Sequence, residues 1–218
     1  MKIILIHGIG NNNPGWSADV EADRILGVPK TDIVEFNYED LMEHNWLNTL
    51  LVYGARIAAS YYAGPAAGIA ANVAQDYVDD ILIYFVAPGV RKAIQSRLIT
   101  VLEDTPNSVV IGFSLGSIVA YETLKNYPEC ARDHLLITLG SPLGSPGLST
   151  LVKQFLKVPN HIRPSVRGWF NFYSPLDVLS GRIDGLGCVQ KDQFKVGSMH
   201  QMKSYLKHAK RALPKIFP

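Results

Sequence analysis

The chain has 218 residues, of which 47% are hydrophobic and 18% are charged, enough to form one sizeable core. A formal net charge of +2 excludes a strong polyelectrolyte role, so we expect no nucleic-acid partner. Cys130 and Cys188 offer neither a disulfide framework nor metal-ligand spacing, so we expect no metal and a reducing, cytoplasmic setting, with export by a signal-independent route as the alternative. We also expect no cofactor.

Six short apolar runs predict strands, and segments with helical periodicity separate them. The central runs are continuously apolar, which is typical of strands buried on both faces of a parallel sheet. Strands are predicted at residues 3–6, 33–38, 109–113, 135–139, 169–173 and 193–196, and helices at 16–26, 90–103, 115–126, 148–157 and 200–212. This alternation predicts an α/β fold with a mainly parallel six-stranded sheet flanked by helices. The first run is too short for the core of a secretory signal.

The segment 39–87 is too long for a simple crossover between two strands. We predict that it forms a helical cap or lid inserted into a single domain, 1–218, above the edge of the sheet where α/β folds bind ligands. An elongated crossover helix far from any site is the alternative. Residues 57–75 carry no charge, but they are mostly Ala and Gly and are interrupted by Gly64-Pro65, which argues against a transmembrane span.

The most informative motif is the Gly-x-Ser-x-Gly pentapeptide at residues 112–116. It ends the third predicted strand and opens a helix, so Ser114 is expected at the apex of a strained strand-to-helix turn. Gly112 and Gly116 would let strand and helix approach closely, and the helix N-terminus would favour developing negative charge. The motif therefore predicts Ser114 as a nucleophile; the alternative is an ordinary strand-to-helix turn.

A serine nucleophile needs a base from the carboxyl end of another strand. His200 follows the sixth strand by a short loop and is predicted to begin the final helix, which makes it the best candidate; a histidine that merely starts a surface helix is the alternative. The other histidines precede a strand or lie in the first loop, the insertion, a basic loop or the last helix: His134, His7, His44, His161 and His208.

Few acidic residues are candidates for orienting the base, because a long segment of the chain contains no Asp or Glu. No Asp or Glu lies between His134 and Leu176, so an acid directly after the fourth strand is excluded. Asp177 follows the fifth strand and is the stronger candidate, with Asp184 as the fallback. The resulting order of serine, aspartate and histidine accompanies this type of turn.

Two backbone amides are candidates for stabilising an oxyanion. The first belongs to Leu115, the residue after the nucleophile. The second is expected from the glycine-containing loop after the first strand, where Ile9 is predicted as the donor and Gly10 is the second choice. A glycine turn that merely joins strand to helix is the alternative for this loop.

These segments together resemble the α/β-hydrolase superfamily, in particular its lipase and esterase branch. The resemblance spans nearly the whole chain and is carried by residues 5–10, 112–116 and 138–143, by Asp177 and by His200. The chain departs from the common pattern of this superfamily by starting directly at the strand before His7-Gly8, so we expect a compact version of the fold without the two antiparallel edge strands that usually come first. The resemblance also implies that 33–38 lies outside 3–6 in the sheet, followed by 109–113, and that 39–87 takes the place of a cap.

The sequence thus predicts a serine hydrolase that cleaves carboxylic esters through an acyl-enzyme intermediate. The apolar insertion favours a small-molecule or lipid ester with a lipophilic acyl group. The same residues would also serve an acyltransferase or a thioesterase, and a non-catalytic binding protein on the same fold is the alternative of another class.

The charges are unevenly divided along the chain. Residues 1–133 hold 9 Lys and Arg against 16 Asp and Glu, whereas residues 134–218 hold 12 against 3. Either the two halves interleave and neutralise each other, or the basic half forms a face for an anionic partner. In the second case, the i, i+4 and i+7 spacing predicts one exposed stripe for peripheral contact with an anionic membrane, formed by Lys203, Lys207 and Lys210.

Overall fold

The computed structural model describes residues 1–8, 13–42, 81, 83–146, 148–156 and 163–217. Several sequence-based predictions fall outside these residues. They concern the Ile9 and Gly10 amides, the central part of the segment 39–87, and the surroundings of His44 and His161.

Six parallel strands form one sheet in the order β2-β1-β3-β4-β5-β6. The strands are β1 Ile3–Ile6, β2 Ile33–Phe36, β3 Val109–Phe113, β4 Leu135–Leu139, β5 Gly168–Tyr173 and β6 Gln193–Lys195. All six coincide with the predicted runs to within two residues at either end. The position of β2 outside β1, with β3 on the other side, is the order that the family resemblance implies.

The helices cover both faces of this sheet. They are α1 Trp16–Asp19, α2 Ala22–Leu26, α3 Pro88–Asp104, α4 Leu115–Asn126, α5 Pro128–Ala131, α6 Ser149–Leu156 and α7 Met202–Ala212. Two predictions are corrected. The helix predicted over 16–26 is divided at Val20 and Glu21, because Glu21 has a left-handed backbone with φ 51°. The final helix begins at Met202, so His200 lies in the loop before it.

Two hydrophobic cores lie on opposite faces of the sheet. Successive side chains of a strand point to opposite faces, so β1 contributes Ile4 and Ile6 to one core and Ile3 and Leu5 to the other. The first core is shared with α3, α4 and α6, and the second with α2 and α7. Because both faces are covered, every side chain of β1 is fully buried, which explains why its sequence is continuously apolar.

The structure describes only the two ends of the segment 39–87. Residues Glu39–Leu41 form a 3-10 turn, and residues 83–86 are helical and lead through Ala87 into α3. The cap over 39–87 stays a prediction. No helix in the described part of the chain is long and apolar enough to cross a membrane.

The lysines of α7 contact the acidic N-terminal half of the chain. The Lys203 Nζ atom lies 2.7 Å from Glu21 Oε1, and Lys210 Nζ donates to the Leu26 carbonyl at 3.0 Å. Lys207 of the predicted stripe is exposed, whereas the Lys203 side chain is 41% exposed and Lys210 is half-buried. The fully exposed basic stripe is therefore not observed, because two of its members pack against α2 and its preceding residue. Peripheral membrane contact stays a prediction with one exposed lysine in its favour.

Candidate active site

The turn between β3 and α4 has the backbone geometry that the pentapeptide predicts. Ser114 adopts φ 51° and ψ −125°, and its N–H donates to the Leu139 carbonyl at 3.0 Å. A Cβ on Gly112 would lie 2.8 Å from the Ser117 nitrogen, and one on Gly116 would collide with the His7 carbonyl oxygen. Gly112 therefore lets β3 pass close to α4, and Gly116 lets α4 pass close to the end of β1, as only residues without a Cβ can. The two glycines thus permit the strained serine between them.

The Ser114 hydroxyl lies in the interior, beside the loop that follows β1. Its Oγ has no hydrogen-bond partner among the described residues. A Cβ on Gly8 would come within 2.8 Å of the Ser114 Cβ, so Gly8 lies directly against the serine. Leu115 is the first residue of α4, and its N–H has no acceptor within the helix. The backbone amide predicted as the first oxyanion donor is therefore adjacent to a buried hydroxyl.

An aspartate and a histidine form a hydrogen-bonded pair at the same edge of the sheet. Asp177 follows β5 and is 3% exposed, and its Oδ2 lies 2.8 Å from Nδ1 of His200, which follows β6. The Leu179 N–H donates to the other carboxylate oxygen, Oδ1, at 3.0 Å. Asp184 instead accepts from Arg182 at 3.2 Å with a 70% exposed side chain. Of the two predicted acids, Asp177 is the one that contacts His200.

The tautomer of His200 follows from this pairing. An ionised carboxylate can only accept hydrogen bonds, so Nδ1 of the imidazole carries the hydrogen. In the neutral ring, Nε2 then holds the lone pair and can accept a proton. The Phe113 ring, next to Ser114 in the chain, packs against the imidazole with 4.7 Å between centroids. The basic nitrogen thus belongs to a ring that contacts the residue preceding the candidate nucleophile.

A tyrosine that the sequence analysis did not identify contacts the same carboxylate. Tyr205 of α7 is fully buried and donates its hydroxyl to Asp177 Oδ2 at 2.7 Å. Burial raises the pKa of Tyr205, as does the neighbouring Asp177, so the phenol stays protonated. The sequence offers one weak signal, an aromatic residue in the first turn of the helix that follows His200.

Ser174 joins the acid loop after β5 to the base loop after β6. Its buried Oγ accepts from the Leu176 N–H at 3.1 Å and from the Ser198 N–H at 3.2 Å. One oxygen thus bonds to the backbone beside Asp177 and to the backbone two residues before His200. This contact was also not predicted, because nothing in the sequence distinguishes Ser174 from other loop serines.

Three large apolar side chains on these two loops are exposed to solvent. Leu176 and Val178 flank Asp177 and are 67% and 62% exposed, and Met199 precedes His200 and is 68% exposed. We call these three residues the apolar rim. Because Ser174 bonds to both loops, the rim residues stand close to the Asp177–His200 pair.

His7, beside the candidate nucleophile, is engaged in a different set of contacts. Its ring stacks on Tyr38 with 4.4 Å between centroids, and its Nδ1 donates to the Gly8 carbonyl at 2.5 Å. The Tyr38 hydroxyl donates to the His7 carbonyl at 3.0 Å. Burial lowers the pKa of His7 despite the opposing effects of Gly8 and Glu39, so the ring is held neutral. These contacts fix the start of the loop that was predicted to supply the second oxyanion amide.

The structure places Ser114, Asp177 and His200 at the carboxyl ends of β3, β5 and β6, on one edge of the sheet. Ile9 lies outside the described residues. Within those residues, no group of three or more His, Cys, Asp or Glu side chains could hold a metal ion. The arrangement can activate a hydroxyl nucleophile by proton transfer to an oriented imidazole.

Comparisons with known proteins identify the fold. No protein-family model matches the chain, and no curated protein matches its sequence significantly. The structure is similar to the crystal structure of a proposed hydrolase of the alpha/beta superfamily from Xanthomonas campestris pv. campestris, with a TM-score of 0.50 and 17% sequence identity. The match covers 99% of this chain and 96% of the other. Together with the parallel sheet, this likeness shows that the chain has the predicted α/β-hydrolase fold.

Proposed function

We propose that this protein is a serine hydrolase that cleaves carboxylic esters through Ser114, His200 and Asp177. The observation that carries the proposal is a buried serine with φ 51° at the apex of the β3–α4 turn. It lies on the same edge of the sheet as the Asp177–His200 pair, in which Asp177 Oδ2 is 2.8 Å from His200 Nδ1. A hydroxyl nucleophile, a base and a group that orients the base are what acyl transfer requires. The hydrolase description of the similar structure agrees with this proposal.

In the first half-reaction, Ser114 Oγ attacks the acyl carbonyl carbon and His200 Nε2 takes the hydroxyl proton. A C–O bond forms, and the carbonyl electron pair moves onto oxygen. The Leu115 N–H stabilises this oxyanion at the N-terminus of α4, together with an amide from the loop after β1, for which Ile9 is our candidate. Asp177 stabilises the imidazolium and holds its tautomer.

The first half-reaction ends when the ester C–O bond breaks and His200 gives its proton to the departing alkoxide, which leaves an acyl-enzyme. In the second half-reaction, His200 Nε2 removes a proton from water, whose oxygen attacks the acyl carbon. When the second oxyanion collapses, the carboxylic acid leaves and Ser114 regains its proton from His200. The cycle consumes one ester and one water.

The apolar rim supports a lipophilic ester as the substrate. Leu176, Val178 and Met199 present apolar surface next to the acid and the base, where part of a bound substrate must lie. Each buried methylene contributes about 0.8 kcal/mol to binding, so an acyl chain or lipophilic alcohol of several carbons would benefit from this contact.

A panel of p-nitrophenyl esters from acetyl to palmitoyl, with thioesters alongside, tests the proposal. Wild type should hydrolyse esters, and Ser114→Ala should lose activity by about 10³- to 10⁶-fold. A fluorophosphonate probe should label wild type on Ser114. Ser108→Ala is the matched control: this serine is also buried, but it precedes β3 and contacts His134 Nδ1 at 2.8 Å, at the opposite edge of the sheet, so its loss should leave labelling at Ser114 intact.

The same experiment distinguishes the alternatives. Faster turnover of thioesters, or transfer of the acyl group to an added alcohol, would identify a thioesterase or an acyltransferase. Labelling of another serine, or full activity in Ser114→Ala, would refute the assignment of the nucleophile. Ligand binding without turnover or labelling would identify a non-catalytic protein.

A further inference from the structure

One oxygen of the Asp177 carboxylate accepts two side-chain donors. Oδ2 lies 2.8 Å from His200 Nδ1 and 2.7 Å from the Tyr205 hydroxyl, whereas Oδ1 accepts the Leu179 N–H at 3.0 Å. The imidazole and the phenol therefore share the negative charge of the same atom.

The position of Tyr205 is fixed by its surroundings. Its N–H bonds to the Gln201 carbonyl at 3.2 Å in the first turn of α7, directly after the loop that bears His200. Its ring lies 6.1 Å from the Phe113 ring, and its Cε2 is 3.1 Å from where a Cβ on Gly140 would stand. The hydroxyl is thus held between the ends of β3 and β4 and the acid loop.

The direction of the hydrogen bond between Tyr205 and Asp177 is determined by chemistry. Burial raises the pKa of Tyr205, so the phenol keeps its hydrogen at neutral pH, and an ionised carboxylate has none to give. On its other side, the phenol oxygen contacts Ser180 Oγ at 3.0 Å. Tyr205 therefore donates to Asp177, and Ser180 supplies a second polar contact that orients the hydroxyl.

We propose that Tyr205 is a positioning residue that acts through Asp177, holding its carboxylate in place and withdrawing part of its negative charge from His200. The catalytic consequence rests on the proposed function, whereas the coupling between the three side chains needs no substrate. A carboxylate that accepts a second hydrogen bond stabilises an imidazolium less. Tyr205 thus keeps His200 in its neutral, proton-accepting form to lower pH.

The charges around His200 are consistent with this role for Tyr205. Asp177 contacts the imidazole with a negative charge, and the Phe113 ring packs against it with 4.7 Å between centroids. Lys203, the nearest lysine along α7, is paired with Glu21 at 2.7 Å. Tyr205 is the second titratable group on the Asp177 carboxylate.

The test replaces the hydroxyl and keeps the ring. In Tyr205→Phe, the titration midpoint of the His200 resonances, followed by NMR and assigned by their absence in His200→Gln, should rise by about half a unit to one unit. The acid limb of kcat/KM for an active ester should move upward by the same amount. Tyr84→Phe is the matched control, because Tyr84 is also buried and donates its hydroxyl to a carboxylate, Glu122 Oε2, at 2.8 Å. It should leave the His200 midpoint unchanged.

An unchanged His200 midpoint in Tyr205→Phe would overturn the inference, as would an equal shift in Tyr84→Phe. Should Tyr205→Phe fail to fold, 3-fluorotyrosine at position 205 keeps ring and hydroxyl but is a stronger donor, so the midpoint should fall, and no change would refute the inference. Failure of the proposed function has a different signature: wild type neither hydrolyses esters nor is labelled on Ser114, while the NMR shift in Tyr205→Phe persists.

Discussion

Ser114 illustrates how strain at one residue is held in place by its neighbours. A non-glycine residue at φ 51° and ψ −125° costs about 1–3 kcal/mol, and such strain persists only where the surrounding structure enforces it. Here Gly112 lets β3 pass close to α4, Gly116 lets α4 pass close to the end of β1, and the Ser114 N–H bonds to the Leu139 carbonyl. The strain keeps the hydroxyl at the sheet edge rather than in a relaxed turn.

Substitution of the two candidate acids, Asp177 and Asp184, should affect kcat very differently. Asp177→Asn should reduce kcat by about 10⁴-fold, because a carboxamide can present its NH₂ to Nδ1 and favour the wrong tautomer of His200. Asp184→Asn should change kcat less than about twofold, because its exposed pair with Arg182 is a weak surface interaction. Steady-state kinetics on one ester, with circular dichroism to verify folding, measures both. The reverse ranking would assign the acid to Asp184.

At the scale of elements, the strands were predictable because burial on both faces demands continuous apolar runs. Residues 3–6 and 109–113 show this in the sequence and form the centre of the sheet. The breaks between helices were not predictable to the residue. Glu21 adopts a left-handed backbone without being Gly or Asn, and Gln201 ends the base loop without a capping side chain.

The residues of the candidate site that directly follow strands could be predicted from the sequence. The residues that reach the site only through tertiary packing could not. Ser114, Asp177 and His200 each follow a strand, so topology alone brings them to one edge. Tyr205 and Ser174 reach that edge only through the path of α7 and the loop after β5, and no local pattern in the sequence encodes such contacts. The surroundings of Ile9 fall outside the described residues, so its role stays a prediction.

The two loops that carry the acid and the base also carry the apolar rim, which predicts the chain-length preference. The double variant Leu176→Ser, Met199→Ser should lower kcat/KM for octanoyl esters by about 5- to 20-fold, chiefly through KM, because it removes apolar contacts worth about 0.8 kcal/mol per methylene. Acetyl esters should be hardly affected, because their short acyl group has little apolar surface to bury.

Val189→Ser is the control for the rim. Val189 is also an exposed apolar residue, 38% exposed, but it precedes the 3-10 turn before β6 and does not lie on either loop. It should leave the ratio of octanoyl to acetyl activity unchanged. A wild type that prefers acetyl esters, or a rim variant with an unaltered ratio, would contradict contact between the rim and the acyl chain.

For the whole molecule, the fold brings part of the basic C-terminal half of the sequence against the acidic N-terminal half. The acidic N-terminal half supplies Glu21 and the basic C-terminal half supplies Lys203, and the two meet where α7 packs beside α2. The interleaving alternative therefore accounts for part of the imbalance. The pKa of Glu21 is lowered by its hydrogen bond from Lys203, in keeping with this contact.

The free energy of unfolding depends on pH through buried histidines near pH 6.5 and through carboxyl groups below pH 4.5. Burial is the largest cause lowering the pKa of both His7 and His134 from 6.5, so the folded protein keeps them neutral. As the pH falls through 6.5, the unfolded chain binds protons that the folded protein does not, and the free energy of unfolding decreases. Carboxyl groups with lowered pKa, such as Glu35, affect stability only below their ordinary value of 4.5.

Urea denaturation between about pH 7.5 and 5 should therefore show stability falling below pH 6.5, by up to about 1.4 kcal/mol per pH unit for each of the two histidines. His134→Asn should reduce this slope without affecting the candidate site, because His134 bonds to Ser108 at the opposite, amino-terminal edge of the sheet. His7→Asn should reduce the slope and also disturb the loop beside Ser114. If both variants retain the wild-type slope, burial of the two neutral histidines is not the cause of that slope. A stability that rises as the pH falls from 6.5 would show instead that these histidines are protonated in the folded protein.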